Sequence, residues 1–192
     1  MIMAKQTFPH TAVPTWSGFI YQGRVGLYHV LKQLNIKPEI EIDELLLQID
    51  SIEDFTIMKS APCGTDIPVS IHQVKAVKSN AYLTYKGAFL QLDTKKTNLG
   101  IPHVAAFFHL ATQNEKTKKQ IEALHPNIKV YSYDDNAEYC SLDDIDNKIK
   151  QQIVLAMQKY GVGGHDNPST VQFISERCGG KKRQTCPPGF WL

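Results

Sequence analysis

Cysteine is scarce in this sequence, and no two cysteines have the spacing of a metal site. The four cysteines among 192 residues include no Cys-x-x-Cys pair. The sequence also lacks an apolar run of membrane length and an amino-terminal signal pattern. These absences predict a cytoplasmic protein with reduced cysteines and no contact with a membrane.

An excess of one charge sign is missing as well. Lys and Arg total 21 and Asp and Glu total 19, which gives a formal net charge of +2. Any polyanion would therefore have to be bound by a local group of basic residues. A Walker-type glycine-rich loop does not occur either, so an ATPase has no support. The length suits one well-buried domain, with little left for a second.

Three short strands are predicted near the middle of the chain. They cover Leu45–Ile49, Phe55–Met58 and Val69–Val77. Because side chains alternate along a strand, Gln73 and Lys75 share one side of the third strand with apolar residues. An amide and an ammonium group are costly to bury without partners. We therefore expect this strand to border a polar cleft, which Asp54 enters from the start of the second strand.

Helical and strand patterns alternate along the rest of the chain. Helices are predicted from residue 15 or 17 to about 34, and over 79–92, 114–125 and 141–160, with strands over 103–111 and 128–133. This alternation predicts an α/β fold with parallel pairing, in which helices flank a central mixed sheet. The expected organisation is a flexible arm over 1–14, a folded domain over 15–160 and an irregular tail over 161–192.

Asp54 and the triplet Gln73-Val74-Lys75 resemble the D…(D/E/Q)xK signature of restriction-endonuclease-like, PD-(D/E)xK nucleases. Together with the helix carrying Tyr21-Gln22 and the acidic segment before Asp54, they resemble the nuclease-like domain of bacterial anti-phage defence effectors. These effectors include cyclic-oligonucleotide-activated DNA endonucleases and subunits of ABC-three-component systems. The resemblance covers about residues 15–135. It implies a restriction-endonuclease-like sheet and a further carboxy-terminal domain, so the chain is expected to be truncated.

The resemblance implies a DNA endonuclease that depends on Mg²⁺, or on Mn²⁺ in its place. Asp54 would be the main metal ligand, with Gln73 and Asp50 as the other ligands. Glu41 and Glu44 are alternatives to Asp50. Because glutamine is neutral, the site would hold Mg²⁺ more weakly than one with a carboxylate at position 73.

Further residues of the implied site act on water and DNA. Lys75 would lie next to the attacking water and offset charge that develops on the phosphate, and Gln22 would face the same cleft. Lys78, Lys95 and Lys96 are candidate contacts to DNA phosphates. A solvated helix face is the alternative explanation for the paired lysines.

A second class of protein fits the same sequence. It is a non-catalytic module with the same fold that binds nucleic acid or assembles with other subunits of an ABC-three-component-like defence system. The expected partners are double-stranded DNA and defence-system subunits, and a homo-oligomer is also compatible with the sequence. Metal-dependent DNA cleavage separates the two hypotheses.

Overall fold

A five-stranded mixed sheet forms the centre of the fold. The computed structural model describes residues 12–60, 64, 66–134 and 136–161, so parts of the predicted arm and tail lie outside the described residues. In chain order the elements are α1 (Ala12–Ile36), α2 (Glu39–Ile42), β1 (Leu45–Ile49), β2 (Phe55–Lys59), β3 (Ile67–Lys75), α3 (Tyr82–Leu99), β4 (Ala105–Leu110), α4 (Lys118–Leu124), β5 (Lys129–Val130) and α5 (Ile145–Lys159).

The strands lie side by side in chain order, from β1 at one edge to β5 at the other. β2 pairs antiparallel with both β1 and β3, whereas β4 pairs parallel with both β3 and β5. Parallel neighbours need crossover connections, which α3 and α4 provide. The α/β class and the mixed sheet flanked by helices are thus confirmed.

Helices α1 and α5 cover one face of the sheet, which we call the first face. Apolar residues three and four apart give α1 a continuous buried side, formed by Tyr21, Val25 and Tyr28. They pack with Phe55, Ile57 and Val74 of the sheet and with Ile145 and Ile149 of α5. The Tyr21 hydroxyl also donates a 2.5 Å hydrogen bond to the Cys140 carbonyl oxygen, just before α5.

Helices α3 and α4 cover the other face, which we call the second face. Its buried residues include Ile71, Tyr85, Phe89, Leu92, Phe108 and Ile121. α3 runs to Leu99, seven residues beyond the end that its apolar pattern predicts. Its last turns are polar, and Gly100, with a φ of +62°, ends the helix. Lys95 and Lys96 therefore belong to α3 and not to a following loop.

Several other boundaries differ from the sequence prediction. α1 begins at Ala12 and not at residue 15 or 17, α4 begins at Lys118 and not at residue 114, and the strand predicted over 128–133 is reduced to Lys129–Val130. β3 begins and ends two residues earlier than predicted, and because the side-chain period is two, the same residues still share each face. The last helix begins at Ile145 and not at Ser141. The Ser141 hydroxyl accepts the Asp144 N–H at 3.1 Å, and this interaction holds a turn ahead of the helix.

Candidate functional site

Strand β3 carries a buried glutamine on the second face of the sheet. Ile71 belongs to the core under α3, so alternation places Gln73 on the same face. Gln73 is only 3% exposed, and among the described residues its Oε1 atom has no hydrogen-bond partner. A buried acceptor left unpaired costs about 1–3 kcal/mol. Such an atom is suited to a cation or to a donor supplied by a ligand.

Asp54 lies level with this glutamine, immediately before β2. Phe55 pairs with His72 in the antiparallel register, which places Asp54 beside Gln73. The Asp54 Oδ2 atom accepts a hydrogen bond from the Val74 backbone N–H at 2.6 Å. Burial raises the pKa of Asp54 above its usual value, although the hydrogen bond from Val74 acts in the opposite direction. The carboxylate is thus fixed against the backbone of the strand that carries Gln73.

Lys75 adds a positive charge to the same group. It lies two residues beyond Gln73 and therefore takes the second face by alternation. Its side chain is half-buried, and its charge lowers the pKa of Asp54. We call Asp54, Gln73 and Lys75 the polar triplet. The fold brings these three sequence-predicted residues together, and their catalytic roles stay a prediction.

The second carboxylate predicted for the site is Asp50. It lies in the turn between β1 and β2 with a φ of +52°, and its side chain is exposed. Its backbone N–H donates to the Asp54 carbonyl oxygen at 3.1 Å. Glu44, an alternative second carboxylate, lies at the opposite end of β1 and forms an ion pair with Lys59 at 2.9 Å. Asp50 is therefore the candidate carboxylate closer to the polar triplet.

No cluster of three His, Cys, Asp or Glu side chains that could hold a metal ion occurs within the described residues. Any metal at the polar triplet would rest on the carboxylate of Asp54 and the amide oxygen of Gln73. Mg²⁺ commonly binds through one or two carboxylates and completes its shell with water and substrate phosphates. The donor types at the triplet fit that pattern.

Gln22 lies on the helix that covers the first face, whereas the polar triplet lies on the second. Its neighbours Tyr21 and Val25 point into the core of the first face, and Gln22 itself is half-buried. One turn later, a Cβ on Gly26 would lie 3.6 Å from the Phe55 ring. This part of α1 thus packs near the start of β2. A role for Gln22 at the triplet stays a prediction.

The lysines predicted to contact DNA have different surroundings. The Lys95 Nζ atom lies 2.7 Å from Glu53 Oε1 and donates to the Ile52 carbonyl oxygen at 3.0 Å. The Glu53 side chain is only 4% exposed, so the ion pair neutralises a buried carboxylate. Lys96 donates to two carbonyl oxygens just after α3. Lys78 is exposed beyond the end of β3.

Lys95→Ala should lower the free energy of unfolding by about 2 kcal/mol, because it leaves the Glu53 carboxylate buried without its charge partner. The loss should be smaller than that for a fully buried pair, since Lys95 is partly exposed. Urea unfolding of Lys95→Ala and of the control Lys78→Ala measures this loss. Because Lys78 is exposed, Lys78→Ala should change the free energy of unfolding by less than about 0.5 kcal/mol. Equal stability of the two variants would contradict a structural role for Lys95.

A network of buried histidines lies on the first face, and the sequence did not reveal it. His29, His72 and His109, which we call the histidine network, come from α1, β3 and β4 and are at most 5% exposed. The hydrogen bonds join Ser70 Oγ to His72 Nε2 (2.8 Å), His72 Nδ1 to His109 Nε2 (3.0 Å), His109 Nδ1 to Tyr133 Oη (3.3 Å) and His29 Nδ1 to Tyr131 Oη (3.1 Å). The strand patterns predict that His72, His103 and His109 are buried, and nothing in the sequence singles out His29. His72 and His109 are buried as predicted, whereas the prediction is wrong for His103, which is exposed ahead of β4.

Burial keeps the histidine network neutral at physiological pH. It lowers the pKa of His29 to about 4, with a smaller contribution from the charge of Lys32. Burial also holds the pKa values of His72 and His109 well below the usual value, and interactions among the histidines add to this effect. Neutral imidazoles that form hydrogen bonds with each other and with hydroxyl groups fill the core and pair their polar atoms. No charge has to be buried for this.

The fold and the polar triplet together define an α/β protein with oxygen donors and a lysine beside a central strand. Residues 128–180 match the family described as C-terminal domain 1 of the ABC-three component (ABC-3C) systems. The match includes β5 and α5 and supports the ABC-3C defence-system context that the sequence suggested. It does not include Asp54, Gln73 or Lys75, and it does not support a nuclease domain. ABC-3C systems have several components, which supports the expectation that this protein has partner subunits. No curated protein and no solved structure matches the chain.

Within the part of the chain that the structure describes, no helix is both long enough and apolar enough to cross a membrane.

Proposed function

We propose that this protein is a Mg²⁺-dependent DNA endonuclease that works within an ABC-three-component-type defence system. The observation that carries the proposal is the buried, unpaired Oε1 atom of Gln73 beside the Asp54 carboxylate. A protein that uses this position only for packing would gain stability from an apolar side chain there. The amide oxygen and the adjacent lysine suit a ligand that carries a cation and a phosphate.

Asp54 and Gln73 would hold the metal, and Mn²⁺ could take the place of Mg²⁺. When bound, such an ion offsets charge on a phosphate and lowers the pKa of a coordinated water. The raised pKa of Asp54 in the unliganded protein follows first from burial, and a cation would favour the ionised carboxylate. The hydrogen bond from the Val74 N–H fixes the Oδ2 atom of Asp54 against β3. The other carboxylate oxygen, Oδ1, is thereby oriented for metal binding.

Lys75 would supply the remaining charge. Its backbone is held two residues from Gln73 on the same strand face, so the sheet and not a loop positions its Cα relative to Asp54 and Gln73. An ammonium group in that place can orient water and offset negative charge that develops on the phosphate. Its effect is then expected mainly in the transition state.

Cleavage of supercoiled and linear duplex DNA with Mg²⁺, with Mn²⁺ and with chelator tests the proposal. We expect cutting with either metal and none with chelator. Gln73→Leu removes the unpaired oxygen while keeping a buried side chain, and it should abolish metal-dependent cutting while raising stability by about 1 kcal/mol. Gln73→Glu restores a carboxylate and should tighten metal binding in titration calorimetry, unless the nearby Asp54 raises the pKa values of both carboxylates.

The second candidate function is a non-catalytic subunit that binds nucleic acid or assembles with partners. The match of residues 128–180 to a domain of ABC-3C systems favours it, as does the single carboxylate in the polar triplet. Such a protein would bind DNA or partner subunits without any metal-dependent cutting. Binding that is identical in wild type and Gln73→Leu, with no cleavage in either metal, would establish this function in place of the first.

A further inference from the structure

A cleft of about 430 Å³ opens on the first face, away from the polar triplet. Its walls come from the carboxy-terminal half of α1, from the segment around β5 and from the beginning of α4, and the sheet forms its floor. From β3 it takes Val69 and Ser70, at the opposite end of the strand from Lys75. The cleft and the polar triplet are therefore separate places on the molecule.

The rim of this cleft is basic. Lys32, Lys37, Lys118 and Lys129 line it, and no acidic residue among those that the structure describes does. Three of these lysines have acidic partners outside the cleft: Lys32 with Asp134 (3.0 Å), Lys37 with Glu41 (3.0 Å) and Lys118 with Glu122 (3.9 Å). Among the described residues Lys129 has no ion-pair partner, so four lysines and three carboxylates leave the rim with a net positive charge that favours an anion.

The floor of the cleft is apolar and partly aromatic. Ile57, Ala105 and Val130 contribute aliphatic surface, and the half-buried ring of Phe107 adjoins that of Tyr131, with centroids 5.7 Å apart. The Ser70 hydroxyl, also in the lining, is a polar group on this floor. A ligand that fills the cleft must therefore bury an apolar body while it keeps its charge at the rim.

We propose that this cleft binds a nucleotide, with the ring on the floor around Phe107 and Tyr131 and the phosphates at the lysine rim. Lysine ammonium groups bind phosphate oxygens as point charges, and any base can stack on an aromatic side chain without sequence readout. The volume lies within the range of small-ligand sites. An inorganic anion would leave the apolar floor unused, and an uncharged ring compound would leave the rim unused.

Titration calorimetry of the whole chain with AMP, GMP, CMP, UMP and ATP tests this proposal, with pyrophosphate, adenosine and laurate as partial probes. We expect at least one nucleotide to bind at least 10-fold more tightly than pyrophosphate, adenosine and laurate. The double variant Lys37→Gln and Lys129→Gln should have an affinity for that nucleotide at least 10-fold lower. Lys119→Gln, an exposed neighbour on α4 outside the lining, should leave its affinity unchanged.

A second variant tests the floor without touching charge. Ala105 is half-buried and lines the cleft. Ala105→Leu should therefore fill the space for the ring and lower the affinity for the nucleotide at least 10-fold. The melting temperature of the variant shows whether it is folded. The proposal is overturned if no nucleotide binds at millimolar concentration, or if pyrophosphate or laurate binds as tightly as the best nucleotide. Affinity unchanged in the lysine double variant would overturn it equally. None of these outcomes depends on DNA cleavage, so this test is independent of the proposed nuclease activity.

Discussion

Lys75→Ala should lower the rate of DNA cleavage by several orders of magnitude and leave DNA affinity nearly unchanged. The lysine lies on the same strand face as Gln73, and its charge acts on Asp54. A charge that offsets the developing negative charge on the phosphate contributes mainly in the transition state, so its loss affects the chemical step more than binding. Single-turnover cleavage and an equilibrium DNA-binding assay on the same preparations measure the two quantities separately.

The matched control is Lys78→Ala, which removes an exposed lysine just beyond the same strand. Because Lys78 is a candidate phosphate contact, its loss should weaken DNA binding and leave the single-turnover rate at saturating protein intact. Asp54→Asn complements it, because an amide oxygen can still accept the Val74 N–H while the anionic ligand is lost, and cutting should disappear. Binding without cutting in wild type and Lys75→Ala alike, in both metals, would remove the catalytic claim and leave the assembly subunit.

The folded protein should lose stability steeply as the pH falls from about 6.5 towards 4. The unfolded chain protonates its histidines below about pH 6.5, whereas burial lowers the pKa of His29 to about 4 and those of His72 and His109 well below 6.5. The unfolded state therefore takes up protons that the folded state excludes. Each histidine contributes up to about 1.4 kcal/mol per pH unit, so the three together contribute about 4 kcal/mol per unit.

Urea unfolding at a series of pH values between 7.5 and 5 measures this slope. His29→Phe keeps an aromatic ring next to Phe55 and removes one histidine with a lowered pKa, so it should reduce the slope by up to about 1.4 kcal/mol per pH unit. Burial also lowers the pKa of His125, which adds to the slope in both proteins. The absolute stability should also fall, because Tyr131 loses its hydrogen-bond partner. His103→Gln changes an exposed histidine and should keep the full slope. A slope that is the same in His29→Phe as in wild type would contradict the role of the buried histidines.

The strands near the polar triplet were predictable because side chains alternate between the two faces of a strand, and a two-residue shift of its bounds preserves that alternation. β1 has the predicted bounds, and the two-residue displacement of β3 leaves Gln73 and Lys75 on one face. The position of Asp54 beside Gln73 also followed from the short strands around it. Whether Gln73 would be satisfied by a neighbour could not be predicted, since that depends on side chains from several elements.

The histidine network was not predictable from local patterns. Its members are separated by 43 and 37 positions along the chain, and two of them lie in strands that read as apolar. Only the parallel register of β3 and β4, with α1 above them, brings the three rings together. The length of α3 was missed for another reason, because its last turns have no buried apolar side and depend on helix-forming residues and the Gly100 cap.

The packing of α5 on α1 limits how the matched segment could be exchanged between proteins. Residues 128–180 include α5, whose Ile145 and Ile149 share one core with Tyr21 and Val25 of α1. A chimaera that received this segment without its own α1 would have to bury those isoleucines against a foreign helix. Recombination at residue 128 should therefore yield stable hybrids only when the first helix is inherited with it, so the two ends of the described chain are expected to evolve as one unit.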